Sequence, residues 1–129
     1  MKDDELVKAW IDKAEGDFET VIDLCKTKRK KQLYIIAFHC QQCIEKYLKA
    51  LLTNNRITFP KQHDLEALLA LLLEIDPLLG PIRKGLSELT PFAVEFRYPG
   101  DDITAQEVKI AVKTTKSIRA ILRKRLGLK

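Results

Sequence analysis

Residues 32–53 constrain the fold of this 129-residue chain more than any other segment. Their apolar side chains recur at steps of three and four, which is the period of an α-helix, and they cover a much wider arc than a surface helix needs. The main stripe consists of Leu33, Ile36, Ala37, Cys40, Ile44, Leu48 and Leu51, and beside it lie Phe38, Tyr47 and Leu52. We expect such a helix to be covered on two sides, by its own bundle and by another subunit.

Four further segments have the amphipathic pattern of helices that pack on this one: residues 4–26, 65–75, 81–89 and 105–126. Gly and Pro number only five each, which argues against a β-sandwich or barrel because those folds need many tight turns. A chain of this length is typical of one domain. The sequence therefore predicts a single all-α domain over residues 1–129, an up-and-down antiparallel bundle of about five helices.

Local signals mark where several of these helices begin and end. Asp64 is a candidate N-cap for the third helix, and Thr104 with Glu107 has the spacing of a capping box that opens the last helix. Gly127 is placed to end that helix. Pro91 is expected either to kink the fourth helix or to restart it as a short segment through residue 96.

Charge is distributed unevenly along the chain. The net charge is +5, but residues 1–25 hold eight acidic residues against three lysines, whereas residues 26–31 (KTKRKK) hold five cations and no acid. From residue 105 onward, eight basic residues stand against one glutamate. The two basic segments would form one surface for an acidic partner if the fold brings them together. The alternative is a solvated linker and a solvated helix face.

The composition favours a cytoplasmic protein with no membrane span. No apolar stretch approaches the ~20 residues that cross a bilayer, and the acidic start MKDDELVK is unlike a signal peptide.

Cys40 and Cys43 form a C-x-x-C motif inside a predicted helix. We expect buried thiols there, because reactive thiols lie at helix N-termini. We expect no metal or cofactor, because structural zinc needs four ligands and no second Cys or His pair is present.

The string FHCQQCIEKYLKALL at residues 38–52 resembles the central signature of HEPN domains, F-H-A-Q-Q-A-x-E-K-x-L-K-A-L-L. Three weaker matches occur elsewhere in the chain, in the order that the family requires. They are Trp10 with Ala14, Glu15 and Asp17, then HDL at residues 63–65, and FAVEFRYPG at residues 92–100. Together these matches span almost the whole chain.

The resemblance implies an antiparallel helical bundle that is commonly a homodimer and is often encoded beside a small nucleotidyltransferase-fold partner. Members of the family have been linked to nucleotide binding, and a catalytic subset acts as metal-independent ribonucleases in toxin–antitoxin pairs. For this chain it implies a module that binds a nucleotide or RNA in a toxin–antitoxin or stress-response pair. The alternatives are a metal-independent endoribonuclease and a purely structural interaction protein whose wide second helix forms the oligomer.

A candidate catalytic pair follows from the same resemblance, because the ribonuclease subset uses an Arg and a His separated by four to six residues. Only Arg56 and His63 have that spacing here. The imidazole would accept a proton from the ribose 2′-hydroxyl while the guanidinium stabilises the phosphate charge. Ile57 stands where the family usually has a polar residue, and Pro60 interrupts the span. The alternative is a structural His63 that caps or anchors the third helix.

A second candidate site is a polar stripe on the second helix, formed at steps of three, one and three by Gln42, Glu45, Lys46 and Lys49. In the functional interpretation, Lys46, Lys49 and Arg97 bind a phosphate, and the two other stripe residues hydrogen-bond a base or ribose. Tyr98 with Arg97 would stack on a base or pair with a partner's carboxylate, and the alternative is a helix-terminating turn fixed by Pro99. In the structural interpretation, the stripe is stabilised by an i,i+4 pair of Glu45 and Lys49, worth only ~0.3 to 0.5 kcal/mol.

Overall fold

A computed structural model of the chain describes residues 2–94, 99–100 and 102–129. Within these ranges the chain forms five α-helices, joined by turns and short 3-10 segments, and no strand. The helices are α1 (Asp3–Thr27), α2 (Leu33–Asn54), α3 (Leu65–Leu73), α4 (Arg83–Leu89) and α5 (Ala105–Arg125). The predicted all-α bundle is confirmed.

Helix α2 is the centre of the bundle. It packs along α1 and α5, and α3 and the 3-10 turn Thr90–Phe92 contact it as well. Ile44, Tyr47 and Leu48 are fully buried, and Ile35 is the one large apolar side chain of α2 that is exposed. The wide apolar arc predicted for this helix is therefore covered by the chain's own helices. Its breadth follows from its central position and gives no reason for a second subunit on α2.

The predicted starts of α3 and α5 are confirmed. Asp64 Oδ1 accepts hydrogen bonds from the backbone N–H groups of Glu66 and Ala67, at 3.0 and 3.3 Å. Thr104 and Glu107 form a complete capping box at the start of α5, with N···O distances of 3.0 and 3.2 Å. Both caps satisfy N–H groups that have no partner within their own helix.

The end of α5 also follows its sequence signal. Gly127 adopts φ +77°, a left-handed conformation that glycine enters without steric cost. Its N–H donates to the carbonyl of Lys124 at 3.1 Å. The next N–H, of Leu128, donates to the carbonyl of Arg123 at 2.8 Å. This pair of bonds is a Schellman motif, which ends the helix sharply.

The region around α4 differs from the prediction. Residues Pro77–Ile82 form a 3-10 segment, so α4 begins at Arg83 rather than at Pro81. Pro81 is compatible with the first turn of either helix type, because an N–H group at that position would have no partner within the helix. At Pro91 the chain forms only the 3-10 turn Thr90–Phe92, and the remainder of the predicted restart through residue 96 reaches outside the described residues.

Candidate functional site

The polar stripe of α2 is folded into the protein rather than presented to solvent. Glu45 is 3% exposed, and its carboxylate accepts hydrogen bonds from Lys49 Nζ at 3.0 Å and from Gln41 Nε2 at 3.0 Å. It accepts a third from His63 Nδ1 at 2.9 Å. The predicted pair of Glu45 and Lys49 is thus present, but it is buried. We call Gln41, Glu45, Lys49 and His63 the Glu45 cluster.

Lys49 is enclosed by aromatic rings on its other side. Its ammonium lies 5.5 Å from the centroid of the Trp10 ring and 6.0 Å from that of Phe59. These separations are within the range of cation–π attraction. The centroids of the two rings are 6.4 Å apart and their planes are tilted by 56°, so the loop before α3 closes over α1 and α2 at this point. The charge of Lys49 is therefore stabilised wholly by groups of its own chain.

Lys46 also has an internal partner. Its Nζ donates to Asp17 Oδ2 at 2.5 Å, and His39 Nδ1 donates to the other oxygen of the same carboxylate at 2.8 Å. Asp17 lies on α1 and is 7% exposed. The fourth stripe residue, Gln42, is half-buried and donates to the Gln41 side-chain oxygen at 2.8 Å. All four stripe residues thus make polar contacts within the chain.

A second network, the Glu15 cluster, joins α1, α2 and α5. Arg119 binds the Glu15 carboxylate through two hydrogen bonds of 2.8 and 2.5 Å. Tyr47 OH donates to the same carboxylate and accepts from Arg123 Nη1 at 2.9 Å. The Arg119 guanidinium holds the pKa of Glu15 below its ordinary value. Burial raises the pKa of Tyr47 to about 12. Three helices are therefore held together by one carboxylate.

The candidate catalytic pair is not joined by any hydrogen bond or ion pair. Arg56 has a side chain that is 86% exposed, and its nearest carboxylate is that of Asp3, at 3.7 Å. His63 is engaged with Glu45, and its backbone carbonyl accepts from Gln41 Nε2 at 3.1 Å. His63 thus anchors the start of α3 to α2, while the capping itself is done by its neighbour at position 64.

Two of the predicted phosphate-site residues, Arg97 and Tyr98, lie outside the described residues. Their position relative to the α2 stripe therefore stays a prediction.

The two basic segments of the sequence meet in one groove. A cavity of about 730 Å³ lies where the end of α1, the start of α2 and the first half of α5 come together. Its floor is apolar, formed mainly by aliphatic side chains. It consists of Leu24, Cys25, Leu33, Ile36, Ala105, Val108 and Val112. The charged residues that line the cavity, among those that the structure describes, are all cations and form its rim: Lys28, Arg29, Lys30, Lys109, Lys113 and Lys116. We call this site the basic groove.

The rim cations differ from the lysines of the α2 stripe in their surroundings. All six are exposed, and no carboxylate of the described residues lies within ion-pair distance of any of them. Lys28 ends α1 in the left-handed conformation at φ 54°, which turns the chain directly into the basic segment. The fold therefore brings the two basic segments together, and they form the single basic surface that the charge pattern allowed. A concave site of this size with unpaired positive charge is suited to an anionic ligand.

The comparison with known families decides what kind of domain carries this groove. A model described as HEPN domain matches residues 7–125, which is nearly the whole chain. The chain belongs to the HEPN family. Neither the curated proteins nor the solved structures compared with it include a match. Within the described ranges, no helix of this HEPN domain combines the length and apolar character needed to cross a membrane.

The cysteines of this HEPN domain are packing residues, as the sequence predicted. Cys40 and Cys43 are both fully buried on α2. Burial raises the pKa of the Cys40 thiol to about 12 and also raises that of Cys43, so neither forms a thiolate readily. Among the residues that the structure describes, no three His, Cys, Asp or Glu side chains are grouped so that they could hold a metal ion.

Sequence reasoning missed both the Glu15 cluster and the ion pair of Asp17 with Lys46, although one signal pointed to the buried charge of Asp17. Asp17 lies on the apolar face of α1, one turn from Ala14 and one turn from Val21. A charged residue in such a position needs a polar partner, because burying it alone is costly. The partners could not be named, because Lys46 is 29 residues from Asp17 in sequence and Arg119 is 104 residues from Glu15.

Proposed function

We propose that this HEPN domain is a homodimeric cytoplasmic module that binds the phosphates of a nucleotide or of RNA in the basic groove. It acts with a nucleotidyltransferase-fold partner, in a toxin–antitoxin or stress-response pair. The observation that carries the binding proposal is the set of six exposed cations around one concave floor, with no carboxylate of the described residues within ion-pair distance of them. The partner and the biological role rest on the family resemblance.

The basic groove is a better phosphate site than the α2 stripe for an energetic reason. Lys46 and Lys49 are paired with the carboxylates of Asp17 and Glu45, both of them buried. An anion that recruited these lysines would leave a buried carboxylate without its partner, which costs several kcal/mol. The rim cations of the groove release only solvent counterions when a phosphate binds.

The floor of the groove supports a ligand with both an anionic and a less polar part. Aliphatic side chains such as Leu33, Ile36 and Val108 offer a surface for a base or ribose, while the rim holds the phosphates. The described lining contains no aromatic side chain, so successive bases have no stacking platform. Binding is therefore expected to depend on phosphate charge more than on base identity.

Calorimetric titration with ATP, GTP and a short RNA tests the binding proposal. The double variant Lys113→Glu/Lys116→Glu reverses two rim charges, and we expect at least a tenfold loss of affinity. The matched control is Lys8→Glu/Lys13→Glu, which changes the net charge equally at exposed positions of α1. We expect the control to bind within twofold of the wild-type chain. An absence of binding, or equal losses in both variants, would contradict the proposal.

The partner is tested separately. We expect a reading frame for a small nucleotidyltransferase beside the gene, and coexpression of the two chains should give a complex that survives size-exclusion chromatography. If the neighbouring frame is absent, or the two chains elute apart, the partner part of the proposal is wrong and the phosphate site is unaffected.

A further inference from the structure

Helix α5 carries a second exposed surface, on a different face from the basic groove. Its members recur at steps of three, four, three, four and three along the helix. They are Glu107, Ile110, Thr114, Ser117, Ile121 and Lys124, all of them exposed except Thr114, which is half-buried and donates to Glu88 Oε2 at 3.2 Å. Ile110 is 45% exposed and Ile121 is 37% exposed, which places two large apolar side chains in solvent. We call these six residues the α5 stripe. This spacing is the one with which two helices pack side by side.

The α5 stripe has the same spacing in both directions, so it is complementary to itself. When two copies run antiparallel about a point between residues 115 and 116, Ile110 lies opposite Ile121, and Thr114 lies opposite Ser117. At each end Glu107 lies opposite Lys124, so opposite charges meet. A twofold interface requires this property. Every contact between one residue of the first copy and another residue of the second copy occurs again with the two copies exchanged.

The surface beside the stripe has two depressions that fit this arrangement. One, of about 290 Å³, lies between α4 and α5 and is lined by Gly85, Ser117 and Ile121 among others. The other, of about 260 Å³, is lined by Phe92, Ile110 and Ala111 and by two acidic residues, Glu88 and Glu107. In the antiparallel pair, Ile110 of a second copy would reach the first depression and Ile121 of that copy would reach the second. Each exposed isoleucine thus has a depression opposite it.

We propose that two copies of this chain associate through the α5 stripe, with their α5 helices antiparallel across a twofold axis. The proposal rests on the homodimeric state included in the proposed function and assigns the surface and register of that dimer. The interface lies on α4 and α5 and leaves α2 wholly inside each subunit. Lys113 lines both the basic groove and one depression, so the dimer contact and the groove are neighbours.

Light scattering coupled to size-exclusion chromatography tests this interface with a pair of variants. Ile110→Glu and Ile121→Lys each place a charge opposite an isoleucine on both sides of the axis, so each variant alone should be monomeric, with at least a tenfold higher dimer dissociation constant. Mixed in equal amounts, they should form a heterodimer. In it one contact becomes a Glu–Lys pair, and the other remains Ile–Ile.

Ile35→Glu is the matched control, since it places the same charge at an isoleucine that is 39% exposed on α2. We expect this variant to remain dimeric, and circular dichroism should show all three variants folded. A dimer that persists in Ile110→Glu, or a mixture that stays monomeric, overturns the assigned interface alone. A wild-type chain that is monomeric at micromolar concentration overturns the homodimer as well, while the phosphate titration decides the binding proposal independently.

Discussion

Glu45 joins helix α2 to the loop before α3. It is buried, and it accepts from Lys49, from Gln41 and from His63 of the loop before α3. Glu45→Gln would leave the ammonium of Lys49 buried without an anion. We expect the free energy of unfolding to fall by about 3 kcal/mol, measured by urea denaturation.

The double variant Glu45→Gln/Lys49→Met separates loss of charge pairing from loss of packing. Because it removes both charges, it should recover at least half of the lost stability. The exposed pair of Asp3 and Arg56 provides the comparison, and Asp3→Asn should change the free energy of unfolding by less than about 0.5 kcal/mol. If the single and double variants at Glu45 were equally unstable, pairing with Lys49 would not be the cause.

Glu15 should make the stability of the protein sensitive to acid. The Arg119 guanidinium lowers its pKa in the folded state below the ordinary value of 4.5. The unfolded chain therefore binds this proton more readily, so the contribution of Glu15 is present above about pH 4.5 and is lost as pH falls through the folded pKa. Glu15→Gln should differ most from the wild-type chain at neutral pH, and the difference should shrink in acid.

Unfolding curves recorded at several pH values check this dependence. Glu19→Gln is the control, because Glu19 is an exposed glutamate of the same helix. A difference between Glu15→Gln and the wild-type chain that stays constant from neutral pH into acid would exclude the Glu15 carboxylate as the source.

At the scale of whole helices, two glycines within helices show how sequence and packing compete. Gly16 on α1 has open space around it, so Gly16→Ala should raise the free energy of unfolding by about 0.5 to 1 kcal/mol through helix propensity. Gly85 lies where α4 crosses α5, and a Cβ there would be 2.8 Å from Ile118 Cδ1 and 2.9 Å from Thr114 Cγ2.

Gly85→Ala should therefore be less stable than the wild-type chain, because steric strain of about 1 to 3 kcal/mol exceeds the gain in propensity. Thermal denaturation of the two variants gives the comparison. If both substitutions stabilised the protein equally, the close approach of α4 to α5 would be contradicted.

The helix boundaries show which elements local sequence can predict. The caps at Asp64, Thr104 and Gly127 were predicted because each acts within a few residues of itself. The start of α4 was placed two residues early, because Pro81 is compatible with both an α-helix start and a 3-10 turn. The residues around it do not distinguish the two.

At the scale of the whole molecule, charge separation is the property with a measurable consequence. The net charge of +5 is small because the negative charge of α1 offsets part of the positive charge of the basic segments, which meet in one groove. If four of the six rim cations contact phosphates of a single-stranded RNA, the logarithm of the binding constant should fall with the logarithm of salt concentration with a slope of about −3. Fluorescence anisotropy at several salt concentrations measures this slope.

Lys113→Glu/Lys116→Glu should reduce the magnitude of that slope by about 1.4, because two phosphate contacts are lost. Lys8→Glu/Lys13→Glu should leave the slope unchanged. A slope near zero in the wild-type chain would mean that phosphate contacts do not drive the binding.

The sequence alone determined that this is an all-α HEPN domain with a broadly apolar second helix, because helical periodicity, caps and the family signature are local properties of the chain. Only the tertiary structure decided which charges are paired. Lys46 and Lys49, which the sequence presented as a possible phosphate site, are neutralised by Asp17 and Glu45. Six cations from two segments far apart in the chain line one groove, and no carboxylate of the described residues lies within ion-pair distance of them. Pairing depends on distances between helices that are set by packing, and no spacing along one helix contains that information.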